Sequence, residues 1–159
     1  MAWSTPSTRS SGYVVTSTNW NELVNDLIFL SNPPRAKVHK VAAQTLANNT
    51  LTSLTFVTED YDTDTIHSNA SNTERLTATT AGLYVVTASV FFDANATGYR
   101  EIRLYKNGSG STWLNGALTT GLAATDYVEV YALQTSGGNL DVLGSAALQT
   151  NFEMRLIAQ

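Results

Sequence analysis

The sequence predicts an all-β protein, a β-sandwich of about ten strands that follows a short N-terminal arm and one helix. From residue 35 onward, apolar and polar residues alternate with period two in short runs, and turn-forming residues separate these runs. Only 14% of the residues are charged, so threonine, serine and asparagine must supply most of the polar surface. These residues suit strands and turns better than helices. With 159 residues, 43% of them hydrophobic, the chain can build one domain with a complete core.

The first 18 residues form an arm rich in serine and threonine, which cannot bury much apolar surface on its own. Its apolar exceptions are Trp3, Tyr13, Val14 and Val15. We expect these side chains to contact a partner.

The only helix is predicted at residues 19–30. Trp20, Leu23, Val24 and Leu27 follow the spacing i, i+3, i+4, i+7 and so form one apolar stripe. A free helix of about 12 residues is marginal in water, so the stripe needs a surface to cover it. The chain's own β-domain, a second copy and another protein are the three possibilities.

The two ends of this helix carry start and stop signals. Asn19 is predicted to cap the start, with Glu22 reaching back from three residues later. Pro33 and Pro34 cannot continue a helix, so they end it and mark a hinge. The chain therefore divides into an N-terminal attachment segment, residues 1–34, and a sandwich domain, residues 35–159.

Nine strand segments are expected after the hinge. They are predicted at 36–43, 50–57, 74–78, 82–93, 99–106, 111–118, 126–134, 139–143 and 150–157. The dipeptide Asn107-Gly108 between two apolar runs predicts a tight hairpin.

Composition excludes several classes of function. A formal net charge of −4 offers no electrostatic reason to bind nucleic acid or an anionic membrane. No run of 18 apolar residues is present. The absence of cysteine rules out disulfides, thiolate metal sites and a cysteine nucleophile.

A set of motifs in residues 36–158 resembles the C1q/tumour-necrosis-factor-like domain, in the version common in phage and bacterial proteins. The motifs are Glu59 to Asp62, Arg75 to Tyr84, Leu104 to Gly108, Thr125 to Val130 and Phe152 to Ile157, in this order. The resemblance implies a ten-stranded jelly roll that forms compact trimers. Thr125 departs from the pattern, because family members usually have glycine there.

The N-terminal segment resembles the leading segment of many phage structural proteins, through Trp3, Pro6, Gly12, Val15 and the stretch from Trp20 to Leu30. This resemblance implies an attachment arm. The attachment residues are predicted to be Trp3, Tyr13, Val15, Trp20, Leu23, Val24 and Leu27.

Three alternating acids, Asp60, Asp62 and Asp64, are the nearest approach to a metal motif. An EF-hand would also need glycine and glutamate where Thr65 and Ser71 stand, so that interpretation fails. A solvated acidic loop is the main interpretation, and a looser calcium site stays open.

Other candidate chemistry is sparse. The two histidines, His39 and His67, lack metal-ligand spacing, and no nucleophile elbow or phosphate-binding loop is present. We therefore expect no enzyme activity, metal or cofactor. Arg35, Lys37 and Lys40 form a basic cluster, interpreted as an exposed neck.

A trimer interface is predicted from surplus aromatic surface. Some strands carry apolar residues on both faces, and a solitary sandwich buries only one. Tyr84, Phe91, Tyr127, Tyr131 and Leu133 are the residues that a homotrimer would share.

Together these features predict a structural protein in the virion of a tailed phage, a homotrimer that its arm anchors to other virion proteins. It would be a capsid decoration (cement) protein or a neck or tail-fibre protein. The alternative is a receptor- or glycan-binding module, in which Trp113 beside Asn115, or Tyr99 beside Arg100, stacks on a sugar ring.

Overall fold

A computed structural model describes residues 8–113, 117–145 and 149–159, with 110–113 described by their backbone alone. The described residues form one helix and twelve strands. The helix α1 spans Ser17–Ser31, and the strands are β1 (Arg35–His39), β2 (Gln44–Leu46), β3 (Thr52–Ser53), β4 (Thr58–Asp62), β5 (Arg75–Thr77), β6 (Gly82–Ser89), β7 (Arg100–Lys106), β8 (Ser109–Trp113), β9 (Ala117–Leu122), β10 (Tyr127–Gln134), β11 (Leu140–Val142) and β12 (Asn151–Ala158).

The strands form two antiparallel sheets. Sheet I has the order β4-β1-β12-β6-β9. Sheet II has β10 at its centre, with β7 and then β8 on one side and both β3 and β5 on the other. A short ladder joins β2 to β11. Because neighbours in each sheet are mostly not consecutive in the chain, the connections cross between the sheets, as in a jelly roll. The predicted all-β sandwich with one helix is confirmed.

The core fills the space between the two sheets. Val86, Phe152 and Met154 come from sheet I, while Leu104 and Val130 come from sheet II, and all five are essentially inaccessible to solvent. Burial of each such side chain contributes about 1.5–3 kcal/mol. The inward residues alternate with exposed or half-buried ones along β6 and β12, as the period-two pattern predicted.

The helix begins two residues earlier than predicted, and its cap is a different residue. Thr16 is the N-cap: its Oγ1 accepts from the Asn19 backbone N–H at 3.3 Å, and its own N–H lies 3.4 Å from Asn19 Oδ1. The predicted cap at Asn19 with Glu22 is therefore wrong, because Asn19 is the third helical residue of a capping box that Thr16 starts. The helix ends as predicted, immediately before Pro33.

Several strand boundaries also differ from prediction, and β2 and β4 lie where no strand was predicted. The segment predicted as one strand at 50–57 contains only the short β3, and β4 begins beyond it at Thr58. The acidic residues expected in a loop therefore start within a strand. The strand predicted at 111–118 includes residues 114–116, which lie outside the described residues. The turn at Asn107-Gly108 is confirmed, since φ values of 52° and 69° are those of a type I′ hairpin between β7 and β8.

Lys40 is buried, which corrects the interpretation of the basic cluster as an exposed neck. Its Nζ donates to Gln44 Oε1 at 2.9 Å and to the Thr55 carbonyl at 2.8 Å. Burial lowers the pKa of this amine. The side chain therefore connects the end of β1 to the segment before β4, and this is a structural role.

Tyr84 makes the alkaline limit of stability testable. Burial, and secondarily the charge of Asp64, raises its pKa to about 12 from 10.0. In the unfolded chain the phenol ionises from about pH 10, whereas the folded state keeps it neutral. The stability that the neutral Tyr84 phenol contributes is therefore complete below pH 10 and is lost as the pH rises towards 12.

We expect Tyr84→Phe to lower stability by about 1 kcal/mol at pH 7, because the hydroxyl loses its bond to the Thr80 carbonyl. The variant should also lose less stability than the parent protein between pH 9 and pH 11. Urea unfolding at each pH measures both effects. Tyr99→Phe, at an exposed position, is the control. If this control reduced the loss of stability between pH 9 and pH 11 as much as Tyr84→Phe does, the effect could not be assigned to Tyr84.

Thr125 has φ of +77°, a left-handed conformation that costs a β-branched residue about 1–2 kcal/mol. Thr125→Gly should relieve this strain. Because glycine loses more conformational entropy on folding, the net gain in stability should be at most about 1 kcal/mol. Thermal unfolding measures the gain. Its exposed neighbour supplies a matched control, since Ala124→Gly should destabilise. A Thr125→Gly protein that melts below the parent would refute the strain argument.

Candidate functional site

Helix α1 turns its large apolar side chains towards solvent. Trp20 is 59% exposed, Leu23 51% and Leu27 57%, while Val24 is half-buried. The buried residue of the helix is Asp26. Of the three possible covers for the stripe, the chain's own sandwich is therefore not the one the structure uses. Among the described residues, no helix combines the length and apolarity needed to cross a membrane.

The arm before the helix folds back on its first turn. The Tyr13 hydroxyl donates to Asn19 Oδ1, and the Arg9 guanidinium lies 4.8 Å from the centre of the Tyr13 ring. Val14 and Val15 remain 78% and 63% exposed. Trp3, the remaining predicted attachment residue, lies outside the described residues.

The hinge after the helix is fixed to the sandwich. Pro33 and Pro34 are both buried. The Pro33 carbonyl accepts from Thr63 Oγ1 at 2.9 Å, and the Pro34 carbonyl accepts from the Leu156 N–H at 2.9 Å. These bonds determine where α1 leaves the sandwich, so the hinge is a rigid joint.

A groove of about 690 Å³ lies between the end of α1 and the outer face of sheet I. Phe29 and Leu30 line it from the helix, and Val85, Arg155 and Ile157 line it from β6 and β12. The predicted attachment residues omit Leu30, although its spacing from Leu27 continues the stripe. The omission matters because Leu30, at 61% exposure, joins the helix stripe to this groove.

The part of this outer face that β6 and β9 form carries no charged residue. The residues of β6 and β9 that share it stand opposite each other as Leu83 with Gly121, Val85 with Thr119, and Thr87 with Ala117. On β9 these side chains are small, so another surface could approach the backbone closely. Leu83 and Ile157 are 39% and 52% exposed.

Charged groups border this face along β1 and β4. Lys37 Nζ lies 3.2 Å and His39 Nδ1 2.7 Å from the carboxylate of Asp60. The Tyr61 hydroxyl donates to Glu153 Oε1 at 2.7 Å. Glu153 and Arg155 lie on the outward side of β12, the middle strand of sheet I, so charged groups adjoin the uncharged patch of β6 and β9 on one side. An apolar patch beside polar groups is common in protein interfaces.

The structure does not bring the carboxylates of the three alternating acids together. Asp62 accepts backbone N–H bonds from Asp64 at 3.0 Å and His67 at 2.8 Å, whereas Asp64 accepts from the hydroxyl groups of two threonines. Asp60 faces Lys37 instead. Within the ranges that the structure describes, no three acidic or histidine side chains gather to hold a metal ion. The carboxylate of Asp62 serves to shape the turn after β4.

The structure does not bring the five predicted trimer residues together. Tyr84 is 0% and Leu133 7% exposed, so both belong to the interior of a single subunit, which corrects their assignment to an interface. Tyr127 and Tyr131 lie on sheet II, and Phe91, 40% exposed, lies just beyond the end of β6. The sequence pattern gave the wrong interface residues because alternation does not show which aromatic side chains are buried or paired within one subunit.

Tyr127 and Tyr131 both have partners within the subunit. The Arg75 guanidinium lies 4.5 Å from the centre of the Tyr127 ring, and the rings of Tyr131 and Tyr105 are 4.5 Å apart. Cross-strand contacts of this kind stabilise a sheet without a second subunit.

The residues suggested for sugar binding are only partly described. Arg100 donates to the carbonyls of Thr97 at 2.9 Å and Asn95 at 3.0 Å, so its guanidinium holds the preceding loop in shape. Tyr99 is 55% exposed. The Trp113 side chain and Asn115 lie outside the described residues.

Comparison with known proteins supports the fold alone. Neither a family model nor a curated protein sequence matches the chain. The crystal structure of murine APRIL at pH 8.5 is similar, with a TM-score of 0.55 and 12% sequence identity over 77% of this chain and 99% of that chain. The fold is a jelly roll of the TNF/C1q type. This confirms the architecture that the sequence motifs implied.

Asp62 provides a test of the turn against the calcium alternative. Each carboxylate oxygen of Asp62 accepts one backbone N–H bond, and Asp62→Asn replaces one of these oxygens by an amide group that cannot accept. We therefore expect the variant to lose about 1–3 kcal/mol of stability. Calcium should leave the melting temperature of the parent protein unchanged. Asp60→Asn, which removes a partly exposed ion pair, should cost less. A calcium-dependent rise in melting temperature that Asp62→Asn abolishes would overturn the structural role.

Proposed function

We propose that this chain is a non-enzymatic structural protein of a phage virion. It acts as a homotrimer whose jelly roll forms a compact head and whose N-terminal segment, residues 1–34, attaches the head to other virion proteins. The observation that carries this proposal is the exposed apolar surface of the N-terminal segment, which runs from Val14 and Val15 in the arm to the stripe of α1 and is not covered by the sandwich.

This apolar surface supports assembly because it gains free energy when other copies of the chain or other virion proteins cover it. Three side chains of the stripe are more than half exposed, and covering each would contribute about 1 kcal/mol or more. Single exposed apolar residues are common on monomers, but a contiguous set on one helix marks an interaction site.

The outer face of sheet I supports the homotrimer. Its uncharged patch on β6 and β9, and the charged groups of β12, β1 and β4 beside that patch, suit a closed assembly that buries the same surface of every copy. The C1q/TNF-like sequence motifs imply the same assembly. Three copies would therefore meet through sheet I, rather than through the aromatic residues that the sequence suggested.

The short connection between helix and head favours a decoration (cement) protein over a long fibre. Helix α1 ends at Ser31 and β1 begins at Arg35, so no shaft separates them. A head joined this way would lie close to the surface that its helix binds. A neck or tail placement with the same short connection is the second candidate.

The trimer is testable at the face that would form it. Thr119→Arg places a long cation in the uncharged patch of β6 and β9, which should disperse the assembly because the charge would be buried without a partner. Light scattering should give three times 17.1 kDa for the parent protein and a smaller mass for the variant. Asn69→Arg, in an exposed loop, is the control. A monodisperse parent monomer would refute the trimer.

Attachment is testable on the arm. Val15→Asp should reduce incorporation into virions several-fold when the variant is supplied to particles that lack the protein, because the charge opposes burial of the arm. Thr18→Asp is the matched control, since a carboxylate in the first turn of a helix is favourable. If Val15→Asp were incorporated at the parent level, the arm would not be part of the attachment site.

A further inference from the structure

We propose that the three copies of α1 in the trimer pack on one another and form a short parallel coiled coil next to the heads. The contact surface on each helix, here called the seam, consists of Trp20, Leu23, Leu27 and Leu30. This inference rests on the homotrimer of the proposed function and specifies what covers the helix.

The spacing of the seam is the first support. Its residues follow one another at intervals of three, four and three, which is the a-d-a-d pattern of a heptad repeat. All four are exposed, at 59%, 51%, 57% and 61% along the chain. A regular seam of this width fits an identical helix better than an irregular surface.

The opposite side of the helix carries polar residues together with Ile28, which is 48% exposed. Asn21, Glu22 and Asn25 lie there and are exposed. No basic or acidic residue lies within the seam itself, so three identical helices meet without like-charge repulsion.

The position of the seam relative to the head is the third support. Leu30 lines the groove together with Val85 and Ile157, which belong to the proposed assembly face of sheet I. The helix seam and that face are therefore continuous. Because buried Pro33 and Pro34 fix the hinge, three heads meeting through sheet I would bring three helix ends together on the same side. Rotational symmetry then makes the helices parallel.

Two heptads are too short to associate by themselves, and an isolated 15-residue helix is marginal. Tethering to a trimeric head changes this, because a short linker gives an effective concentration in the millimolar range. The helices should therefore pair only when the heads have assembled. Val14 and Val15 lie before the seam, so three arms would leave one end of the coiled coil and meet the virion surface together.

Cysteine crosslinking tests the pairing, since the natural chain contains no cysteine. Leu23→Cys and Leu27→Cys each place a single thiol in the seam of the full-length protein. A short bismaleimide at low protein concentration should convert each variant to crosslinked dimers, up to about two thirds of the chains, because one thiol in three is left without a partner. Asn25→Cys, on the polar side, should remain uncrosslinked.

The outcomes separate this inference from the function on which it rests. Light scattering of each variant before crosslinking establishes whether it is a trimer. Trimeric seam variants that crosslink no more than Asn25→Cys would overturn the coiled coil and leave the trimer intact. A parent protein that is a monomer would overturn both. Efficient crosslinking at both seam positions, in protein of trimeric mass, is the result that we expect.

Discussion

Strand β12 lies between β1 and β6 in sheet I, and the rest of the molecule depends on this pairing. Phe152, Met154 and Leu156 project from it into the core, where all three are buried. The backbone N–H of Leu156 also donates to the Pro34 carbonyl. One strand therefore holds the two sheets together and fixes the point at which the N-terminal segment leaves them.

This anchoring explains why the apolar helix is exposed. If the hinge were free, α1 could turn its stripe onto the sandwich and bury it there. Pro33 and Pro34 are instead held by Thr63 and Leu156, so the seam stays open and only the end of the helix approaches sheet I. The apolar side chains of the seam therefore remain in contact with water in a single subunit.

The parts of the fold that depend on local sequence were predictable. The spacing of Trp20, Leu23 and Leu27 indicated the helix, and Asn107-Gly108 indicated the hairpin, because both patterns act within a few residues. The cap was misplaced by one helical turn, since Thr16 and Asn19 both have side chains that can cap. Lys40 and Tyr84 were misplaced more seriously, because their burial depends on segments far away in the chain.

By itself, the sequence determined the class of the fold and the helix with its stripe. These follow from periodicity, prolines and turn residues, which constrain the backbone locally. Only the tertiary structure decided which apolar residues are surplus. Tyr84 and Leu133 are enclosed within one subunit, whereas Leu30 joins the helix to the open face of sheet I. The physical reason is that exposure depends on which strands cross between sheets and become neighbours, and alternation along a single strand carries no information about its neighbours.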